Sequence, residues 1–217
     1  MYKEIITKDG SLTFFNEEIQ DTYHSQSGAE EEAREKYAEL TEKYLIDKDE
    51  IVIFDVCFGL GYNTSAAIDK ISQKKLNILC FENDKGILQK IPFLKPSFNS
   101  YTLIREFINK FLLREDANLK NEKVELAMFF GDVQEEIMNA DMNADYVFFD
   151  PFSPAKTPEL WTLDFFKKIH SKMNKNALLF TYSYAKHVRE NLREAGFEVT
   201  DGPTIGRRSP STIARKK

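Results

Sequence analysis

Two hydrophobic rhythms alternate along the chain. From Ile51 to Val56 almost every position is apolar, the pattern of a strand buried on both faces, and Asp55 is its one acid. Gly59 and Gly61 then predict a tight turn into a helix over 62–71. The same apolar run recurs at 76–82, 124–130, 146–149, 177–182, 197–200 and 212–215. Helical spacing is predicted between these runs at 85–90, 101–119, 133–142, 158–173 and 185–195. Ahead of them, residues 1–27 read as a small hairpin turning at Asp9-Gly10. A helix follows over 29–45, with Ala33, Tyr37, Leu40 and Tyr44 on one face.

Strand–helix alternation implies a mostly parallel sheet with helices on both faces. The short, helix-free connection between the last two strands implies an antiparallel final hairpin. The expected fold class is therefore α/β, a Rossmann-like sheet of the class I methyltransferase kind, with a small N-terminal hairpin and helix. At 217 residues with no linker or repeat, the chain is expected to be one domain, 46–217 forming the core and 1–45 covering the site.

The strand–glycine–helix segment is a ligand cradle: Gly59 and Gly61 let backbone approach a ligand, and the following helix N-terminus turns free N–H groups toward it. Dinucleotide cradles carry a third glycine where this chain has Thr64, whose branched side chain obstructs close helix–strand packing. The pattern leans instead to S-adenosylmethionine. Glu82, closing the second strand, suits a ribose diol with either cofactor. Ligands in such sheets bind beyond the carboxyl ends of the strands, where Asp55, Glu82, Asp132 and Asp150 are expected to converge. Asp132 reads equally as a helix N-cap.

Asp150 is set apart by Pro151 and Pro154, which stiffen the backbone, and by Phe148, Phe149 and Phe152, which lower local polarity. The arrangement resembles the acid-Pro-Pro-aromatic loop of amino-group methyltransferases. An ordinary aspartate is too weak a base to deprotonate an alkylamine outright, so Asp150 is expected to orient the acceptor N–H groups and receive charge.

Composition narrows the partners. Hydrophobic residues make up 42% of the chain and charged residues 30%, with no apolar run long enough to span a membrane. The start reads as no signal peptide, and Cys57 and Cys80 fall in core strands, so a reducing, cytoplasmic setting is expected. No metal is expected from so few, scattered Cys and His residues; His24, His170 and His187 read as surface or structural. The net charge is −5, yet eight Lys and Arg against four acids from Lys186 to Lys217 leave that stretch at +4. It reads equally as a solvated face or as a phosphate-binding surface.

The twelve residues from Asp150 to Trp161, D-P-F-S-P-A-K-T-P-E-L-W, resemble the D-G-F-A-P-A-K-N-P-E-M-W signature of the methyltransferase domain of the MnmC family, which modifies tRNA wobble uridine. Tyr23-His24-Ser25 with Gly28-Ala29-Glu30-Glu31 is similar to its Y-F-S and G-L-E-E. Residues 55–63 are similar to its E-T-G-F-G-T-G-L-N, and Gly206-Arg207-Arg208 to its G-R-K-R. The resemblance implies methyl transfer from S-adenosylmethionine to the amine of 5-aminomethyl(-2-thio)uridine in tRNA. Asp150 would be the catalytic acid. Tyr23, Ser25, Glu31, Asp55, Phe58, Gly59, Gly61, Asn63, Glu82 and Asp132 would hold the cofactor. Phe152, Pro154, Trp161, Arg207 and Arg208 would meet the substrate. Cys57 and Pro151 stand where the family has glycine, and Thr157 where it has asparagine. The FAD-binding oxidase half of that family is not expected in 217 residues.

A free small amine or a protein is the alternative acceptor, separable from tRNA by the salt dependence of binding. A nucleotide-binding oxidoreductase is disfavoured by Thr64, and a noncatalytic module by the intact Asp150 loop.

Overall fold

A computed structural model describes residues 1–114, 118–205 and 209–217. The N-terminal segment is a three-stranded antiparallel sheet of β1 (Tyr2–Ile6), β2 (Leu12–Asn16) and β3 (Asp21–Thr22). The expected hairpin thus gains a third strand. Next comes a helical rod, α1 (Ala29–Ala33), a π-helical turn (Arg34–Ala38) and α2 (Glu39–Lys43).

The central sheet has eight strands: β4 (Glu50–Val56), β5 (Lys75–Glu82), β6 (Asn118–Lys120), β7 (Val124–Phe130), β8 (Ala144–Phe149), β9 (Met173–Thr181), β10 (Phe197–Asp201) and β11 (Thr212–Lys216). Their order is β10-β11-β9-β8-β4-β5-β7-β6. The five strands from β9 to β7 in that order are parallel, while β11 runs antiparallel to both β9 and β10. This is the Rossmann-like sheet with an antiparallel final hairpin that the alternation implied. Chain direction across the sheet reverses between β4 and β8, the place where open α/β sheets bind ligands.

Two helical layers cover the sheet, and the two-residue period of β4 shows why. Ile51 and Ile53 pack under the N-terminal rod, α3 (Tyr62–Lys70) and α5 (Tyr101–Arg114). Phe54 and Val56 pack on the opposite face, against α6 (Val133–Asn139), α7 (Leu163–Ser171) and α8 (Lys186–Glu194). The short α4 (Lys85–Leu88) follows β5.

One predicted element changes type. The helix expected over 101–119 ends at Arg114, and Asn118–Lys120 instead pairs antiparallel with β7 at the sheet edge. Leu119, buried at 3% exposure, drops into the core where a strand's alternation puts it. Among the described residues no helix is long and apolar enough to cross a membrane.

Candidate active site

The β4–α3 connection is built from left-handed backbone: Cys57 has φ 65°, Gly59 55° and Gly61 72°. The two glycines differ in purpose. A Cβ on Gly61 would stand 2.6 Å from Phe58 Cζ and 2.9 Å from Ile104 Cγ2, so this glycine makes room for the protein's own core. Gly61 does not line the cavity described below, a correction to the expectation that it leaves space for a ligand. Gly59 does line it; a Cβ there would meet only Tyr23 Cδ1 at 3.4 Å and the Cys57 carbonyl at 3.8 Å. Cys57, where the resembling family has glycine, holds the same left-handed backbone at a cost of about 1–2 kcal/mol.

Gly59 N–H donates to Glu82 Oε2 at 2.8 Å, while Asn83 and Asp84 N–H groups donate to Oε1 at 2.8 and 2.9 Å. The carboxylate closing β5 is thereby fixed beside the glycine loop. Burial raises its pKa, opposed by these three N–H donors. Two residues along, Asp84 caps α4 through Gly86 and Ile87 N–H and accepts from the hydroxyls of Tyr2 and Tyr23. Asp132 caps α6 through Gln134 N–H at 2.9 Å, the N-cap role read from the sequence, and it also lines the cavity.

Asp150 follows β8 across the switch point. Its N–H donates to the Val56 carbonyl of β4, and its Oδ2 accepts from Asn63 Nδ2 of α3 at 2.9 Å. Asn63 Oδ1 is buried without a partner, as is the Tyr37 hydroxyl. That hydroxyl lies close enough to Asp150 to couple to it electrostatically but makes no hydrogen bond of ordinary geometry. Burial, together with the negative charge of Glu32, pushes the Asp150 carboxyl up to about 6, against the Asn63 hydrogen bond. Asp150 is consequently a better base than an ordinary aspartate.

The loop beyond Asp150 is held from several sides. The Tyr182 hydroxyl donates to the Pro151 carbonyl, and Thr157 Oγ1 and Trp161 Nε1 both donate to the Phe152 carbonyl. Asp21 of β3 accepts from Ser153 N–H and Oγ at 3.2 and 2.8 Å, and Tyr23 packs edge-on against Phe152 with centroids 4.9 Å apart. The N-terminal sheet thus reaches both the Asp150 loop and, through Tyr23, the Glu82–Asp84 turn.

These groups enclose a cavity of about 380 Å³. Of the residues expected from sequence, Tyr23, Ser25, Phe58, Gly59, Asn63, Glu82, Asp132, Asp150 and Phe152 line it. Several others do not. Glu31 is exposed, its N–H tied to Asp9, whereas Glu32, about 100° further round the helix and in phase with Ala29 and Ala33, faces the cavity. Asp55 is fully buried behind the loop and accepts from Thr64 Oγ1 at 2.6 Å; burial raises it to about 8. Trp161 is buried under the loop against Phe149, and Pro154 also lies off the cavity wall. Arg207 and Arg208 lie outside the described residues.

Seven carboxylates line the cavity: Asp21, Glu32, Glu82, Asp84, Asp132, Asp150 and Glu159. Among the described residues no lysine or arginine does. None of these acids belongs to a metal-holding cluster among the described residues. His24, buried and stacked on Tyr62, is not at the surface: it lines the cavity, and burial lowers it to about 4. Acidic side chains thus dominate the charged groups on the cavity wall.

Of the basic C-terminal stretch, Lys186 pairs with Glu190 and Arg189 with Asp201. Lys216 donates to the His170 and Met173 carbonyls.

The family described as S-adenosyl-L-methionine-dependent methyltransferase matches over residues 98–217. An uncharacterized protein of Methanocaldococcus jannaschii is 29% identical over 97% of this chain and 58% of its own length. The tRNA 5-methylaminomethyl-2-thiouridine biosynthesis bifunctional protein MnmC of Campylobacter fetus is 26% identical over 85% of this chain and 31% of its own length. The chain thus spans less than two thirds of either curated relative. The crystal structure of MnmC2 from Aquifex aeolicus aligns with a TM-score of 0.78 at 32% identity, over 100% of this chain and 70% of that one.

Proposed function

The chain belongs to the S-adenosyl-L-methionine-dependent methyltransferases, as a relative of the MnmC methyltransferase domain, and from that premise we propose that it methylates the primary amine of 5-aminomethyluridine, with or without 2-thiolation, at the tRNA wobble position. The observation that carries this reading is Asp150, a carboxylate of raised basicity at the switch point, in a cavity lined by acids.

The cavity suits the cofactor. Its volume falls in the range of small-molecule sites, Gly59 presents backbone without a side chain, and the buried Asn63 Oδ1 is an acceptor with nothing to accept. In this reading Glu82 receives the ribose hydroxyls, Asn63 Oδ1 the amino group, and Tyr23 and Ser25 close the N-terminal side. The bound cofactor supplies a methyl group activated on a positively charged sulfur.

The acceptor arrives as an ammonium with a pKa about 10.4, roughly four units above Asp150, a gap of about 6 kcal/mol. Burial against Phe152 lowers the amine's own pKa while the carboxylates around it raise it, so Asp150 also works by orienting the N–H groups and receiving charge as the C–N bond forms. Asp150 would take one proton from the ammonium, and the freed nitrogen lone pair would accept the methyl group, the C–N bond forming as the methyl–sulfur bond breaks and the sulfur leaves as a neutral thioether. The remaining N–H groups stay oriented by the carboxylates beside the packed Tyr23–Phe152 pair.

An acceptor bearing an extra carboxylate would have to bury it among seven others, which costs several kcal/mol. Tritiated methyl transfer should therefore label tRNA carrying aminomethyluridine and leave the carboxymethylaminomethyl form nearly unlabelled. Equal labelling of the two tRNAs would reject the pocket argument. The same carboxylates also suit a small free amine; labelling of neither tRNA, with turnover of such an amine, would transfer the proposal to it.

A further inference from the structure

The rod over the site carries a feature that its packing alone does not require. Glu32 and Lys36 form an ion pair at 2.5 Å with side chains only 5% and 3% exposed. Burying such a pair costs desolvation on both sides, and a well-packed apolar pair is commonly as stable or more so. Only the acid end faces the cavity: Glu32 lines it and Lys36 does not. Lys36 Nζ fixes one carboxylate oxygen, and Ser25 N–H fixes the other at 2.9 Å. Each oxygen keeps a second lone pair. The pair spans the junction of α1 with the π-helical turn, a local winding that often marks function. That turn also buries Tyr37, whose hydroxyl couples to both Asp150 and Glu32.

We propose that Glu32 is an acceptor-binding residue, a second carboxylate that lies on the cavity wall with Asp150 so that the two together receive the primary ammonium of the acceptor. The inference deepens the proposed function and rests on it for the identity of the acceptor, but not for the two-carboxylate site. Lys36 holds Glu32 ionised against the burial that works to protonate it. Asp150 exchanges its proton with the ammonium, while Glu32 stays charged and binds the N–H groups that remain. A methylated product has one N–H fewer to divide between them, which favours release after a single transfer.

Among the described residues, the titratable groups that interact with Asp150 are Glu32, Lys36 and Tyr37 from the rod and Asp55 and Cys57 from β4 and its loop, while Tyr182 beyond β9 acts on Tyr37 and holds the Pro151 carbonyl. Glu32 raises the Asp150 carboxyl more than Lys36 lowers it. The test follows the Asp150 side-chain carboxyl by carbon NMR, with the resonance assigned by its loss in Asp150→Asn and the protein free of cofactor and tRNA. Ethylammonium chloride is the probe. In the wild type the probe should shift the Asp150 resonance at neutral pH. In Glu32→Gln the probe's affinity should fall at least fivefold, and the Asp150 titration midpoint should move to lower pH. The double variant Glu32→Gln/Lys36→Met leaves no buried unpaired charge and serves if the single variant does not fold; it should lose the same affinity with a smaller drop in midpoint. An unchanged response to ethylammonium in whichever variant folds overturns the proposal. Failure of the wild type to methylate tRNA would refute the proposed function alone, because this titration needs no tRNA.

Discussion

At Gly61 a Cβ would run into Phe58 and Ile104, whereas at Gly59 it would meet ordinary contacts and the cavity. The two alanine variants should therefore fail differently. Gly61→Ala combines overpacking with a left-handed backbone and should cost about 2–4 kcal/mol in urea unfolding. Gly59→Ala carries the backbone cost alone, about 1–2 kcal/mol, but should weaken S-adenosylmethionine binding in calorimetry. Matching losses of stability would overturn this division of labour. Asp55 gives a second test. Its carboxyl sits near 8 folded and about 3.9 unfolded, so between those values the native state holds a proton that the unfolded state releases. Stability contributed by this group is present below about 4 and lost as pH climbs to about 8. Asp55→Asn removes that slope, and its melting temperature should gain on the wild type more at pH 8.5 than at pH 5.5. The same difference at both pH values would mean that Asp55 is ionised in the fold. At Asp150 the raised carboxyl puts the acid limb of methyl transfer near pH 6 in the free enzyme, and Asp150→Asn should lower kcat by roughly 10²-fold while sparing cofactor affinity.

Among the elements, β3 has two residues and little core of its own, yet Asp21 holds Ser153 by both its N–H and its hydroxyl. Asp21→Ala should release that N–H. Amide exchange across 151–157 should quicken, and methyl transfer should fall about tenfold through a misplaced Asp150 loop, with little change in melting temperature. If exchange quickens and the rate holds, the loop does not need the N-terminal sheet for its geometry. The third strand and the β6 edge share one explanation for their absence from the sequence pattern. Both are too short for a periodicity to develop, and only their partners, β2 and β7, make them strands.

Across the molecule, charge is partitioned: carboxylates ring the cavity, while the C-terminal stretch carries a surplus of Lys and Arg. Several of those cations are engaged within the fold; Arg207 and Arg208 lie outside the described residues and are tested by substitution. The Arg207→Ala/Arg208→Ala variant should weaken tRNA binding and reduce its salt slope by about one for each phosphate that is no longer neutralised. An unaltered slope would make that stretch an ordinary solvated surface.

The buried strands, their order with the intervening helices, the cradle at Gly59 and the acid-proline loop at Asp150 were all legible in the sequence, because each is a local pattern with a single physical reading. Side-chain alternation in β4, Thr64 where a dinucleotide cradle has glycine, and prolines at 151 and 154 require no distant partner to be interpreted. What the tertiary structure alone decided was which of two neighbours faces the site. Glu31 and Glu32 are identical in chemistry, and helical phase sends the first to solvent and the second to the cavity. Gly61 looks like Gly59 until Phe58 and Ile104 close in on it in the fold, and Asp55 looks like a cofactor ligand until Thr64 claims it. The basicity of Asp150 likewise depends on Glu32, more than a hundred residues earlier in the chain, because a pKa is set by the charges and solvent that packing places around a group.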